Sequence, residues 1–199
     1  MARPRRFTDD QVLDAARDLL ADPATLHPTI AAISAASGVH TGSIYLRFPS
    51  RDELLARLWL RSIRRFHVGF VEALGGPDPL LSAAIHLPRY CRAHPTEARA
   101  MKMFHHEELL EVGPPELRAE IAGVNDDMNA ALRAAVVAEF GAADEHRMAI
   151  AEAAVKAIPY GLVRDYIARA APIPDWVDDV VATATGAVVR EFGRRPAPR

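Results

Sequence analysis

The sequence contains a single cysteine, Cys91, among its 199 residues. One thiol excludes an internal disulfide framework and any metal site built from several cysteines. A chain without disulfides is typical of a reducing compartment, so we expect it in the cytoplasm. Cys91 follows Tyr90 in an apolar stretch, and we interpret it as a small core residue rather than a redox sensor.

Long hydrophobic runs are also missing, since no apolar stretch approaches the roughly 18 residues that span a bilayer. The basic residues at 1–6 are not followed by an apolar core, so we expect neither a membrane helix nor a secretion signal. No Gly-rich phosphate loop, nucleophile elbow or paired-cysteine motif is present. We therefore predict no catalytic residue, no cofactor and no enzymatic activity. Adjacent His105 and His106 would point about 100° apart on a helix, which argues against a metal site.

Signals for β-strands are nearly absent, because no alternating β-branched run lies between turn residues. Thr8 and Thr29 are good N-caps, and Gly38 is a typical helix stop. Pro and Gly pairs separate the later apolar segments. We predict an all-α fold with helices at about 8–22, 29–38, 41–47, 51–70, 79–93, 96–111, 115–140, 144–170 and 175–192.

The positive charge is concentrated toward the N-terminus, although the whole chain has a net charge of −2. Residues 1–67 contain ten arginines and seven acids, whereas the remainder has a net charge of −5. A positive end on an acidic body is typical of a protein that touches phosphate with one end only.

Residues 29–48 have the pattern of a helix-turn-helix, in which two short helices pack across a tight turn that holds Gly38. Apolar residues suited to the packing are Ile30, Ile33, Ala36, Val39, Ile44 and Phe48. The other face of the second helix presents hydroxyls and a guanidinium, which bond base edges or phosphate. From spacing alone, a helical hairpin that never meets DNA and serves protein interaction remains the alternative.

The same stretch resembles the N-terminal domain of the tetracycline-repressor (TetR) family over residues 7–55. The matching motifs are Thr29, Gly38-Val39, Gly42-Ser43-Ile44-Tyr45, Phe48, Arg51 and Glu53-Leu54-Leu55. The resemblance implies a three-helix helix-turn-helix DNA-binding head and a six-helix regulatory and dimerisation body. It also implies a cytoplasmic homodimer that binds a palindromic operator in double-stranded DNA, most simply as a repressor released by a small-molecule effector.

The resemblance assigns DNA contacts residue by residue. Phosphate contacts are implied for Thr29, Ser43, Tyr45 and Arg51, and base-edge contacts in the major groove for Thr41, Gly42 and Arg47. Two positions depart from the family pattern: His40 replaces the usual Ser, which leaves open whether His40 or Thr41 caps the helix, and Leu46 stands where an aromatic or polar residue is common. Leu46 would then make an apolar contact or simply pack. Arg3, Arg5 and Arg6 form either a minor-groove arm or a solvated tail.

The domains are expected to be residues 1–50 for DNA binding and residues 51–199 for ligand binding and dimerisation. Pro88 and Pro159 lie inside apolar helical runs, so each should kink its helix and free a carbonyl four residues earlier, at Ala84 and Val155. Kinks of this kind either widen a cavity or only curve helices around a core. Candidate effector-binding residues are His86, Tyr90, Phe104, His105 and Tyr160. Helices 144–170 and 175–192 are expected to pair with their copies in the dimer.

Overall fold

The structure is a computed structural model that describes residues 7–192. Every regular element in this range is helical, so the predicted all-α fold is confirmed. The α-helices are α1 Asp9–Asp18, α2 Ile30–Ser37, α3 Thr41–Tyr45, α4 Arg51–Leu74, α5 Pro79–Ala93, α6 Pro95–Met101, α7 His106–Val112, α8 Arg118–Gly123, α9 Asp126–Phe140, α10 Glu145–Glu152, α11 Ile158–Ala168 and α12 Trp176–Phe192. Within residues 7–192, no helix is both long enough and apolar enough to cross a lipid bilayer.

The chain forms two compact units. Unit 1 contains residues 7–63 and 96–123, and unit 2 contains residues 64–95 and 124–192. The continuous helix α4 contributes residues to both units. The division into functional domains at residue 50 stays a prediction.

Helices α1 and α2 begin at the predicted caps and α2 ends at the predicted glycine, whereas α1 and α3 end earlier than predicted, at Asp18 and Tyr45. Thr8 Oγ1 accepts a hydrogen bond from the Gln11 amide at 3.1 Å, and Thr29 Oγ1 accepts one from the Ala32 amide at 3.2 Å. Gly38 ends α2 with a φ of +68°, a conformation that L side chains rarely adopt. The helices enclose a core built from Val12, Leu13, Ala16, Leu20, Ile30, Ile33, Val39, Ile44, Phe48, Leu54, Leu55, Leu58 and Ala100.

Helix α6 is fixed within unit 1 by two buried charged side chains, Glu97 and Arg99. Glu97 is buried and accepts hydrogen bonds from Arg17 Nη1 at 3.2 Å and Ser62 Oγ at 2.5 Å. Arg99 is also buried, and its Nη2 donates to carbonyl oxygens of the loop at residues 22–25. A buried charge is tolerated only when such partners are present, so these bonds define where α6 lies against α1 and α4.

The predicted unbroken helix over 96–111 is wrong, because the helical backbone is interrupted at residues 102–105. The Trp59 indole donates to the carbonyl of Met101 at 3.0 Å, and the ring of Phe104 stacks on His27 at 5.5 Å. His105 then has extended backbone angles and precedes α7. These tertiary partners replace the helical hydrogen bonds that the periodicity predicted.

The predicted helix over 115–140 is likewise divided, with a break at Val124 and Asn125. The side chain of His67 forms a hydrogen bond with the backbone of Val124 in unit 2. The bond partner lies far away in the sequence, so local periodicity contained no signal for this break.

Unit 2 contains one very close approach between α4 and α5. A Cβ added at Gly69 would lie 2.4 Å from His86 Cε1, so only glycine fits there. His86 Nε2 is 3.1 Å from the carbonyl oxygen of Phe66, and the His86 ring lies against the Phe66 ring at 5.0 Å. The residues 66–70 of α4 therefore hold the middle of α5.

The two helical prolines behave differently. Pro88 lies buried inside α5, as predicted, whereas Pro159 follows a π-helical turn at Ala153–Ala157 that joins α10 to α11. In that turn the Ile158 amide donates to Ala153, five residues earlier. The next donor in this register would be Pro159, which has no N–H and so cannot bond the Ala154 carbonyl. The free carbonyl predicted at Val155 stays a prediction. The buried Thr185 Oγ1 of α12 donates to Ala154 at 3.1 Å and satisfies it.

Candidate nucleic-acid interface

The second helix of the predicted helix-turn-helix, α3, is capped by His40. Its Nδ1 accepts a hydrogen bond from the Gly42 amide at 3.3 Å, and the His40 backbone is extended. The alternative that Thr41 is the cap is therefore wrong. Thr41 is the first helical residue, so capping does not occupy its hydroxyl.

Three buried side chains fix which face of α3 is turned outward. Val39, Ile44 and Phe48 all belong to the core of unit 1. Leu46 lies two positions from both Ile44 and Phe48, about 200° around the helix from each, and therefore points away from that core.

The outward side of α3 carries a mixture of groups. Tyr45 and Leu46 are exposed over 47% and 87% of their surface, and Gly42 and Arg47 are also exposed. Ser43 is half-buried. This surface offers hydroxyls, a cation and one large apolar side chain to a partner.

Arg47 is held against the start of α1. Its Nη1 pairs with the carboxylate of Asp9, and its guanidinium lies 4.7 Å above the centroid of the Phe7 ring. The Asp9 and Phe7 contacts were missed because they join residues about 40 positions apart.

Arg51 lies at the start of α4 and is engaged with the loop before α2. Its Nε and Nη2 donate to the carbonyl oxygens of Pro28 and His27 at 3.0 and 2.9 Å. These bonds place the backbone just ahead of the Thr29 cap. A guanidinium has five N–H groups, so Arg51 retains donors for a phosphate.

The sequence favours a solvated face for the arginines that follow the helix-turn-helix on α4, which are Arg57, Arg61, Arg64 and Arg65. Arg61 instead pairs with Asp10 at 2.7 Å and Asp14 at 2.9 Å, and its side chain is largely buried. Arg57 pairs with Glu53 at 2.9 Å. For Arg61 the prediction is wrong, because carboxylates of α1 lie within reach once the helices pack. Arg57 pairs within its own helix and stays 40% exposed.

The five candidate effector-binding residues are divided between the units. His86 and Tyr90 lie together in unit 2 with ring centroids 5.6 Å apart, and burial lowers the pKa of His86 despite its bond to the Phe66 carbonyl. Tyr160 is in the same unit and is exposed. Phe104 and His105 belong to unit 1, where Phe104 stacks on His27 and His105 is exposed.

Two further predictions concern Cys91 and the basic residues near the N-terminus. Cys91 is buried, and burial raises the pKa of its thiol to about 12, which fits a core residue. The basic residues Arg3, Arg5 and Arg6, predicted as an arm or a tail, lie outside the described residues.

Comparison with known proteins agrees with the geometry. Residues 12–58 match the model of the family described as bacterial regulatory proteins, tetR family. Helical structure similar to this chain is found in a transcriptional regulator from Rhodococcus sp. Rha1, with a TM-score of 0.72 and 17% identity over 96% of this chain and 100% of that one. The TetR family regulator PfmR from Thermus thermophilus has a TM-score of 0.61 and 18% identity over 92% and 99%.

No curated protein matches the chain significantly in sequence. The family match covers the helix-turn-helix, and the structural similarity extends over nearly the whole chain. Residues 12–58 are therefore similar in sequence to the tetR family of bacterial regulatory proteins, and the chain as a whole has an all-helical fold similar to the folds of these two regulators.

Proposed function

We propose that the chain is a repressor that binds a palindromic operator as a homodimer and is released by a small-molecule effector. The observation that carries the proposal is α3, whose inner side chains are fixed in the core while its outer groups are exposed. A rigid helix with an outward reading face is what sequence-specific entry into a major groove requires.

The contacts proposed with DNA follow the predicted roles. Residues proposed to bind phosphates are Thr29, Ser43, Tyr45 and Arg51, and residues proposed to face base edges are Thr41, Gly42 and Arg47. The Arg51 bonds to the loop at 27–28 support the assignment, because they hold Arg51 beside the Thr29 cap.

The dimer is proposed to form through α10–α11 and α12 of unit 2. On α12, Val181 and Thr185 face the interior of the subunit, so the solvent-facing side is the one that carries Val180 and Thr183. Tyr160 on α11 is an exposed aromatic residue of the same unit. An isologous pairing would set two copies of α3 about 34–36 Å apart or somewhat more, the spacing of major grooves one turn apart.

The effector site is proposed at His86, Tyr90 and Tyr160 of unit 2. Imidazole and phenol groups bond a carbonyl, phenol or carboxylate, and their rings stack on an aromatic ligand. Phe104 and His105 stay predictions from the sequence. An effector that releases the operator must bind less tightly when operator is present, by the same factor.

Selection of bound fragments from random double-stranded DNA tests the proposal. Enrichment of a palindrome whose half-sites are one helical turn apart supports it. Recovery of no enriched sequence would favour the alternative, a helical protein-interaction module that does not bind DNA. A chain that acts on chromosomal DNA would work in the cytoplasm, and the proposal assigns it no catalytic step.

A further inference from the structure

Leu46 is the most exposed large hydrophobic side chain among residues 7–192, with 87% of its surface in water. Val112, Leu26 and Val68 follow at 77%, 70% and 70%. Single exposed apolar residues are common on protein surfaces and require no explanation by themselves. Leu46 differs from them in its location, because it directly follows α3, between Tyr45 and Arg47, and points to the same outward side.

The backbone around Leu46 keeps this side chain outside. The Leu46 amide donates to the Gly42 carbonyl at 3.3 Å, and the Phe48 amide donates to the Ile44 carbonyl at 2.9 Å. Ile44 and Phe48 are fully buried on the opposite side of the turn. Turning Leu46 inward would pull both of them out of the core, so its exposure is a fixed property of the fold.

A leucine side chain has no hydrogen-bond donor or acceptor, and therefore it cannot bond a phosphate or a polar base edge. The apolar group that base pairs present in the major groove is the C5-methyl of thymine. Given the proposed function, on which this inference rests, we propose that Leu46 packs on a thymine methyl in each half-site and so reads thymine at that position.

The neighbouring side chains support this role. Arg47 pairs with Asp9 and lies over the Phe7 ring, whereas Leu46 is the most exposed large apolar side chain on this surface. Contact with the methyl group removes apolar surface of Leu46 from water, which favours binding. The contact discriminates thymine from cytosine, whose C5 carries only hydrogen.

The test uses the selected operator and replaces each thymine in turn by deoxyuridine, which removes the methyl and leaves the hydrogen-bonding edge unchanged. We expect one symmetric position to respond, with about fourfold weaker binding when one half-site is changed. Changing both half-sites should weaken binding about fifteenfold. These factors correspond to one buried methyl group per half-site.

Three variants of the full chain sharpen the test. Leu46→Ala should bind thymine and deoxyuridine operators equally, and Leu46→Met, which keeps an apolar side chain, should retain most of the preference. Leu26→Ala is the matched control: it truncates an exposed leucine of the same unit outside α3 and should leave the preference intact.

The outcomes separate this inference from the proposed function. A palindrome that is bound with no effect of deoxyuridine at any position overturns the role of Leu46 and leaves operator binding standing. A deoxyuridine effect that persists in Leu46→Ala overturns it as well. Failure to select any operator overturns both proposals.

Discussion

Arg47 and Asp9 form an ion pair at the surface proposed to meet DNA, and Phe7 stacks below the guanidinium. Asp9 competes with DNA for Arg47 and adds a negative charge where phosphates approach. We expect Asp9→Asn to bind all DNA sequences about two- to fivefold more tightly, a gain typical of one surface charge interaction. Fluorescence anisotropy at low salt measures it.

The matched control is Asp126→Asn, which removes a carboxylate from the first turn of α9 in unit 2. It should leave DNA affinity unchanged. Weaker binding by Asp9→Asn would mean that Asp9 helps to hold Arg47 in its reading position.

Arg47 and Arg51 are expected to contribute different kinds of binding energy. Arg47→Ala should relax preference at one symmetric base position at a cost of about 1–3 kcal/mol. Arg51→Ala should weaken all sequences alike and lower the slope of log affinity against log salt by about one. Titrations of matched and mutated operators at two or more salt concentrations distinguish the two. Unchanged affinity for the parent operator in both variants would contradict the assignment.

His67 and His86 are half-buried in unit 2, and burial lowers the pKa of both, although each bonds a backbone group. The unfolded chain therefore binds a proton at each of these histidines more tightly than the folded chain does. The free energy of unfolding should be at its full value above the unfolded histidine pKa, about 6.5, and should fall as the pH drops below it.

Urea denaturation at pH 7.5 and pH 5.5 measures this decline. The double variant His67→Gln, His86→Gln should show a smaller difference between the two pH values, because glutamine does not titrate. An NMR titration of the two imidazoles gives their pKa values directly, and values at or above about 6.5 would refute the prediction.

At the scale of elements, the π-helical turn at Ala153–Ala157 depends on a bond from another helix. Thr185 is 1% exposed, and its hydroxyl donates to the Ala154 carbonyl. Thr185→Val preserves shape but removes the donor, and we expect a loss of about 1–3 kcal/mol in the free energy of unfolding. Thr183→Val on the exposed side of α12, compared in a chain made monomeric by Val180→Glu, should change it by less than about 0.5 kcal/mol. Equal effects in a denaturation series would show that the bond is unimportant.

At the scale of the whole molecule, the proposed dimer gives a test on α12. Val180→Glu places a charge on the exposed side, at a residue 41% exposed, and should produce folded monomers that lose operator binding. Val181 is fully buried within the subunit, so a charge there would unfold the protein instead.

Sedimentation velocity at micromolar concentration measures the oligomeric state. Val137→Glu on α9 is the control, since Val137 is exposed to a similar extent and lies outside the proposed interface. A wild-type monomer, or a Val180→Glu dimer, would contradict the arrangement.

The sequence by itself determined the helix class, the capping residues and the position of the helix-turn-helix. Thr8, Thr29 and Gly38 act on backbone groups within a few residues of themselves, so the structure agrees with the prediction there. The inner positions of α3 also follow from periodicity, because Ile44 and Phe48 must share a face.

Tertiary structure decided the features that depend on partners distant in the chain. The break at 102–105 follows from Trp59 and His27, the hydrogen bond to the Ala154 carbonyl from Thr185, and the restraint of Arg47 from Asp9 and Phe7. Exposure of Leu46 was likewise open in the sequence. The physical reason is that periodicity and capping report on the backbone within one or two turns, whereas these bonds exist only after the helices have packed.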